Sequence, residues 1–216
     1  GVPMPQHSQG RVLSEIVKTG ASYKPVTILG LNDFHGQLEP TTRAYDGRNI
    51  SVGGAAYLAT LFDEEAAQLP GPALLLAGGD NVGASPANSL LLEDMPTIDV
   101  ENAWGLDATS FGNHEFDYGV ERLQAQIERA NFPFLGANIV EEATGQLPDW
   151  NQASVVFDVN GVQVGVIGIG LEDTPELVSA GATEGLQFLP AIQTIQAESQ
   201  KLLNMGVKVQ VVAIHE

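Results

Sequence analysis

Short apolar runs, each cut off by polar or glycine-rich residues, alternate along this chain with stretches of helical periodicity. Val26-Thr27-Ile28-Leu29-Gly30-Leu31 is apolar and β-branched and stops at Asn32-Asp33, which predicts a buried strand. Ala73 to Ala77 predicts a second strand, ended by Gly78-Gly79-Asp80, and Leu106 to Phe111 a third, ended by Gly112-Asn113-His114. Phe134 to Ala137 and Val207 to Ile214 continue the series, the last closing on His215. Between these runs, Gly54 to Gln68 places Ala55, Leu58, Ala59 and Phe62 at helical spacing, and Asp94 to Trp104 predicts another helix. Val120, Leu123, Ile127 and Ala130 form one helical stripe; Pro190 to Asn204 forms another, stopped by Gly206. Two apolar runs, Val155 to Val159 and Val162 to Ile169, flank Asn160-Gly161 and predict a β-hairpin. Strand–helix alternation with one hairpin predicts an α/β domain with a mixed sheet.

Composition narrows what such a domain does. The first 24 residues are polar, contain Pro3, Pro5 and Gly20, and predict a loose N-terminal arm; residues 25–216 predict one domain, with no internal boundary or repeat. The chain carries 27 acidic against 9 basic residues, a formal charge of −18. Nine scattered bases do not supply the clusters that a nucleic-acid polymer or an anionic membrane surface requires. An anionic substrate must therefore be received by something other than basic side chains, and a divalent metal is the obvious candidate. The absence of cysteine excludes disulfides, thiolate zinc sites and cysteine nucleophiles. No apolar run approaches the roughly 20 residues of a membrane span. The opening at Gly1 fits a removed signal peptide and a cloning remnant alike.

The candidate chemistry sits where strands end. Asp33 and His35 follow the first, Asp80 the second, Asn113 and His114 the third, and His215 the last. In open α/β sheets ligands bind beyond the carboxyl ends of strands. A mixed carboxylate, imidazole and amide set suits Mn, Fe, Co, Ni or Zn better than Ca or Mg. An extended backbone would point Asp33 and His35 the same way. Gly78 and Gly79 would let the backbone approach a metal while Asp80 projects toward it. Asn113 offers a neutral oxygen and His114 a proton near neutral pH. Asp117, one helical turn on, can take the second N–H of His114 and hold its ring. Each motif alone also fits a strand-ending turn. Glu39, Asp46, Glu93 and Asp94 are expected to be solvated, His7 is assigned nothing, and Trp104, Trp150 and Phe132 are expected to pack rather than stack on bases.

The order Asp-x-His, Gly-Gly-Asp, Gly-Asn-His-Glu and strand-end His resembles the calcineurin-type metallophosphoesterases. Within them it is similar to the secreted branch of 5′-nucleotidases, UDP-sugar hydrolases and 2′,3′-cyclic-nucleotide phosphodiesterases. The longer strings Asn32 to Gly36, Gly53 to Ala56, Gly112 to Asp117 and Phe132 to Ile139 carry that likeness across Val26 to His215. The resemblance implies a four-layer α/β/β/α sandwich holding two divalent metals. It implies Asp33 and His35 on the first metal, Asp80 bridging, and Asn113 and His215 on the second. His114 would be a catalytic histidine paired with Asp117, and Asn113 and His114 would also meet substrate. The expected reaction is hydrolysis of a small-molecule phosphoester, a nucleotide above all, in a secreted, periplasmic or cell-surface protein. Sulfate release from a thiol-bound carrier on the same fold, and a binding protein on a degenerate site, are the alternatives. The family's two later histidines and its nucleotide-binding domain are not in this sequence, so the expectation is a front part of a catalytic domain. Such a piece is expected to be poorly soluble and weakly metallated on its own.

Overall fold

The computed structural model describes residues 24–215. The expected arm, Lys24 apart, lies outside the described residues together with His7 and Glu216. The chain enters β1 (Thr27–Leu31), forms a hairpin of β2 (Thr41–Tyr45) and β3 (Arg48–Val52), and passes through α1 (Ala55–Gln68) into β4 (Ala73–Ala77). A one-turn α2 (Ala87–Leu90) and α3 (Met95–Trp104) lead to β5 (Ala108–Ser110), a 3-10 turn (His114–Phe116), α4 (Val120–Arg129) and β6 (Phe134–Leu135). Then come β7 (Ile139–Glu141), the predicted hairpin of β8 (Ser154–Val159) and β9 (Val162–Ile169), a one-turn α5 (Thr174–Leu177), β10 (Leu186–Phe188), α6 (Ala191–Asn204) and β11 (Val209–Ile214).

Two sheets face each other. One is parallel, in the order β1-β4-β5-β6; the other is mixed, in the order β11-β9-β8, with β8 antiparallel and β11 parallel to β9. Alternation along each strand decides which layer a side chain enters. Leu74 and Leu76 of β4 pack with Val164 and Val166 of β9 and Ala213 of β11 between the sheets. Leu75 and Ala77 point the other way, to Ile98, Leu106 and Leu123 under the helices. Ile167 and Ile169 of β9 turn outward onto Ala191 and Leu202 of α6. The layers are thus α/β/β/α, as the resemblance implied. Trp104, Trp150 and Phe132 join the helix-side core.

The structure departs from expectation in four places. The β2–β3 hairpin, turned at Asp46-Gly47 with both residues at positive φ, was not predicted. Its strands are exposed along most of their length, so no apolar alternation marks them. The predicted strand Leu106 to Phe111 is ordered as a strand only over Ala108–Ser110, and Phe134 to Ala137 only over Phe134–Leu135, because each pairs with its neighbour for just two register positions. Asp94 is not solvated: it is fully buried, accepting hydrogen bonds from Ser89 and Arg122.

Candidate functional site

β1, β4 and β5 are parallel neighbours, so their carboxyl ends open onto one edge of the sheet. The chain leaving β1 runs beside the chain leaving β4. The Asp33 and His35 amides donate to the Gly79 and Asp80 carbonyls at 3.1 Å, and the Gly36 amide to Asn81 at 2.9 Å. Asp33, His35 and Asp80 have φ of 55°, 47° and 55°. The side chains of Asp33 and His35 therefore do not come together by extended alternation, as the sequence suggested; a left-handed turn folds them toward each other. Non-glycine residues hold such φ values where surrounding structure imposes them, commonly at functional sites. Gly112 is required for a different reason: a Cβ there would overlap the Asp80 carboxylate.

The side chains converge on Asp80, which is 3% exposed. His215 Nε2 lies 3.1 Å and His35 Nε2 3.9 Å from Asp80 Oδ2, and His35 Nε2 is 3.7 Å from Asp33 Oδ1. Two groups of ligand-type atoms each fit within 4.8 Å: Asp33, Asp80 and His215, and His35, Asp80 and His114. Asp80 belongs to both, but the pairings differ from the split the resemblance implied: Asp33 groups with His215, and His35 groups with His114, which was expected to be a non-ligand. The His35 Nδ1–H donates to the Gly83 carbonyl at 3.0 Å, leaving Nε2 free as a donor to a cation. Asn113, half-buried, starts the 3-10 turn, and its carbonyl accepts the Phe116 amide. That turn brings His114 Nδ1 within 2.8 Å of Asp117 Oδ2, the contact expected from their spacing. A cleft of about 540 Å³ reaches the same edge, with Asp33, Gly78 and His215 among its lining residues.

A protein-family model for calcineurin-like phosphoesterase matches residues 26–191. The chain belongs to that family. It is 33% identical to a cell wall protein of Listeria monocytogenes over 92% of its length, and 38% identical to a 5′-nucleotidase of Vibrio vulnificus over 72%. Among solved structures it is similar to a 5′-nucleotidase precursor from Thermus thermophilus, at 31% identity and a TM-score of 0.76 over 88% of this chain. The chain spans only 28%, 27% and 37% of these three proteins.

The candidate site contains one residue to which the sequence assigned no role. Glu115 is buried, and its carboxylate accepts three backbone amides: Asp80 at 2.9 Å, Asn81 at 2.9 Å and Gly112 at 2.6 Å. It binds the loop after β4 to the loop after β5. Its burial between Phe111 and Phe116, both core residues, is the signal that marks it. Burial, then the charge of Asp80, pushes the Glu115 pKa up to about 7, against the lowering effect of the three amides. Burial lowers the pKa of His114, but the hydrogen bond and charge of Asp117, with the charges of Asp80 and Glu115, outweigh it and raise the pKa above its ordinary value. Glu115→Gln keeps the shape but replaces one acceptor oxygen by an NH₂ that faces amide donors. Stability is expected to fall by about 1–3 kcal/mol, the cost of orphaning buried amides. Urea unfolding measures it; an unchanged midpoint would mean that the two loops are held together by other contacts.

The donor set fits the divalent metals that this family implies. It offers carboxylates and imidazoles at one strand edge, with one buried carboxylate common to both clusters. Among the described residues, no helix is long and apolar enough to cross a membrane.

Proposed function

We propose that residues 25–216 form the front part of a catalytic domain that hydrolyses phosphoesters with a divalent metal pair, nucleotides being the favoured substrate class. The observation that carries this reading is Asp80, a buried carboxylate shared by two clusters of ligand-type atoms, one of which includes His114, whose Nδ1 is already paired with Asp117. Asp33, His35 and Asp80 would hold one cation; Asp80, Asn113 and His215 the other. When bound, the cations supply charge neutralisation at the phosphoryl oxygens and a water of lowered pKa.

The chain's own residues do the rest. His114 has Nδ1 committed to Asp117, so its Nε2 is the atom that meets substrate. It stabilises charge on the phosphoryl group and gives a proton to the leaving oxygen as the P–O bond breaks, while water supplies the new oxygen. Asp117 keeps the ring aligned and stabilises its protonated form. Asn113, next to His114, orients the phosphoryl group. The nucleotide preference rests on the named 5′-nucleotidase relatives, and a site outside the cytoplasm on the cell wall relative.

The test is a panel of nucleoside monophosphates, cyclic nucleotides, UDP-sugars and an S-sulfonated thiol (R–S–SO₃⁻, which water would cleave to the thiol and sulfate), assayed on the complete protein with Mn²⁺ for phosphate and sulfate release. His114→Ala is expected to keep its metal and lose about 10²-fold or more in turnover. Loss of metal in that variant would make His114 a ligand instead. Asp117→Asn, which touches no metal, is expected to fall between His114→Ala and the parent. Sulfate release without phosphate release would favour the thiosulfohydrolase alternative, and no release with metal bound would favour the binding protein.

A further inference from the structure

The segment from Asn81 to Asp94 leaves the metal edge and ends against α4. It begins under the site, where Gly83 presents its carbonyl to His35 Nδ1 and lies against His114 and Asp117. Its conformation is unfavourable in isolation. Gly83, Ala84, Glu93 and Asp94 have φ of 73°, 47°, 58° and 60°, and three of these residues are not glycine. Such a backbone persists only if other contacts impose it.

Those contacts come from two side chains one helical turn apart. Arg122 Nη2 donates to the Leu90 carbonyl at 3.2 Å and to Asp94 Oδ2 at 3.3 Å. Gln126 Nε2 donates to the Glu93 carbonyl at 2.9 Å. Asp94 is fully buried, and its other oxygen accepts the Ser89 hydroxyl at 2.8 Å, which in turn meets Thr97 at 2.7 Å. The Arg122 guanidinium also lies over the Tyr118 ring, 4.1 Å from its centroid. Tyr118 directly follows Asp117. One half-buried cation therefore touches the element that orients His35 and the residue beside the one that orients His114.

We infer that Arg122 is a positioning residue for the metal centre: it holds the strained 83–94 segment so that Gly83 fixes the His35 ring, and it braces Tyr118 beside Asp117. The inference rests on the metal-site reading above, but its readouts do not require turnover. Lysine is expected to replace arginine only in part, because an ammonium keeps the charge facing Leu90 and Asp94 but not the planar guanidinium that lies over the Tyr118 ring.

The experiment compares the parent with Arg122→Met and Arg122→Lys. Three properties are read: Mn²⁺ affinity, the ¹⁵N-imidazole NMR signature of His35, and the thermal midpoint. Arg122→Met is expected to bind Mn²⁺ about 10-fold or more weakly, as loss of an outer-shell support does. Its His35 Nδ1–H signal should lose its protection from exchange, and Arg122→Lys should fall in between. A less stable Arg122→Met with parental Mn²⁺ affinity and a parental His35 signal would overturn the inference, because a purely structural role moves only the midpoint. If Arg122→Met does not fold, Gln126→Leu, which removes only the bond to Glu93, is expected to shift the same two readouts less, and an unshifted pair overturns the inference. A parent that binds Mn²⁺ but hydrolyses nothing refutes the proposed reaction and leaves this comparison standing. A parent that binds no Mn²⁺ leaves the His35 signal to decide it.

Discussion

Asp80→Ala is expected to abolish turnover and to empty both metal positions together. Asp80 is the one carboxylate common to both clusters of ligand-type atoms, and its Oδ1 also accepts the His114 amide at 2.9 Å. Removing it would take a charged donor from each cation and loosen the backbone under His114. The loss of Mn²⁺ affinity should exceed the roughly 10–100-fold typical of an outer-shell partner, because a direct ligand is gone from two ions at once. Asp80→Asn separates the two effects. Its amide oxygen can still accept from His114, so the turn should stay in place while the bridging charge is lost. Metal analysis by mass spectrometry, beside the activity assay, checks both variants. Two metals retained at parental affinity in Asp80→Ala would remove Asp80 from the bridging position.

Glu101→Leu is expected to stabilise the protein, and by more as pH rises. Glu101 lies in α3, is fully buried, and neither carboxylate oxygen finds a hydrogen-bond partner among the described residues. Burial holds its pKa well above the ordinary value of 4.5, and the charge of Glu115 raises it further. An unpartnered polar group in the core costs about 1–3 kcal/mol even when neutral, and leucine of similar size would remove that cost. The pH dependence follows from the direction of the shift. Below about pH 4.5 the carboxyl is protonated in both folded and unfolded chains, and titration contributes nothing. Above that, the unfolded chain releases its proton while the folded chain keeps it, so the parent loses about 1.4 kcal/mol per pH unit until the raised folded pKa is passed. The leucine variant lacks this slope. Denaturant unfolding at pH 4.5, 6 and 7.5 measures the gap between parent and variant. A gap that does not widen with pH would mean that Glu101 ionises freely in the folded state.

The strands and helices that carry the site were legible because local pattern specifies them. Ala73 to Ala77 is a continuous apolar run, Val162 to Ile169 a nearly continuous one, and Val120, Leu123 and Ile127 recur at helical spacing, and each formed the element expected. The residues at the strand ends were legible for the same reason: a carboxylate or imidazole directly after an apolar strand of a parallel sheet is delivered to the ligand-binding edge wherever that strand sits. The i, i+3 pair of His114 and Asp117 is likewise a local geometry, and it formed at 2.8 Å.

What the sequence could not specify is which polar residues face inward, because that depends on segments far away in the chain. Asp94 reads as a surface acid until Arg122, 28 residues on, reaches it. Glu115 reads as the last letter of a motif until Asp80 and Asn81, 35 and 34 residues before it, turn their amides to its carboxylate. Glu101 gives no local sign of its burial, and the β2–β3 hairpin no apolar face to announce it. The left-handed turns at Asp33 and His35 are fixed by hydrogen bonds to the loop after β4, a pairing that exists only once β1 and β4 are side by side. The sequence by itself determined the chemistry available at the strand ends, since side-chain type and strand pattern are local. The tertiary structure decided how those groups are held, since burial and backbone strain are set by whichever distant residues pack against them.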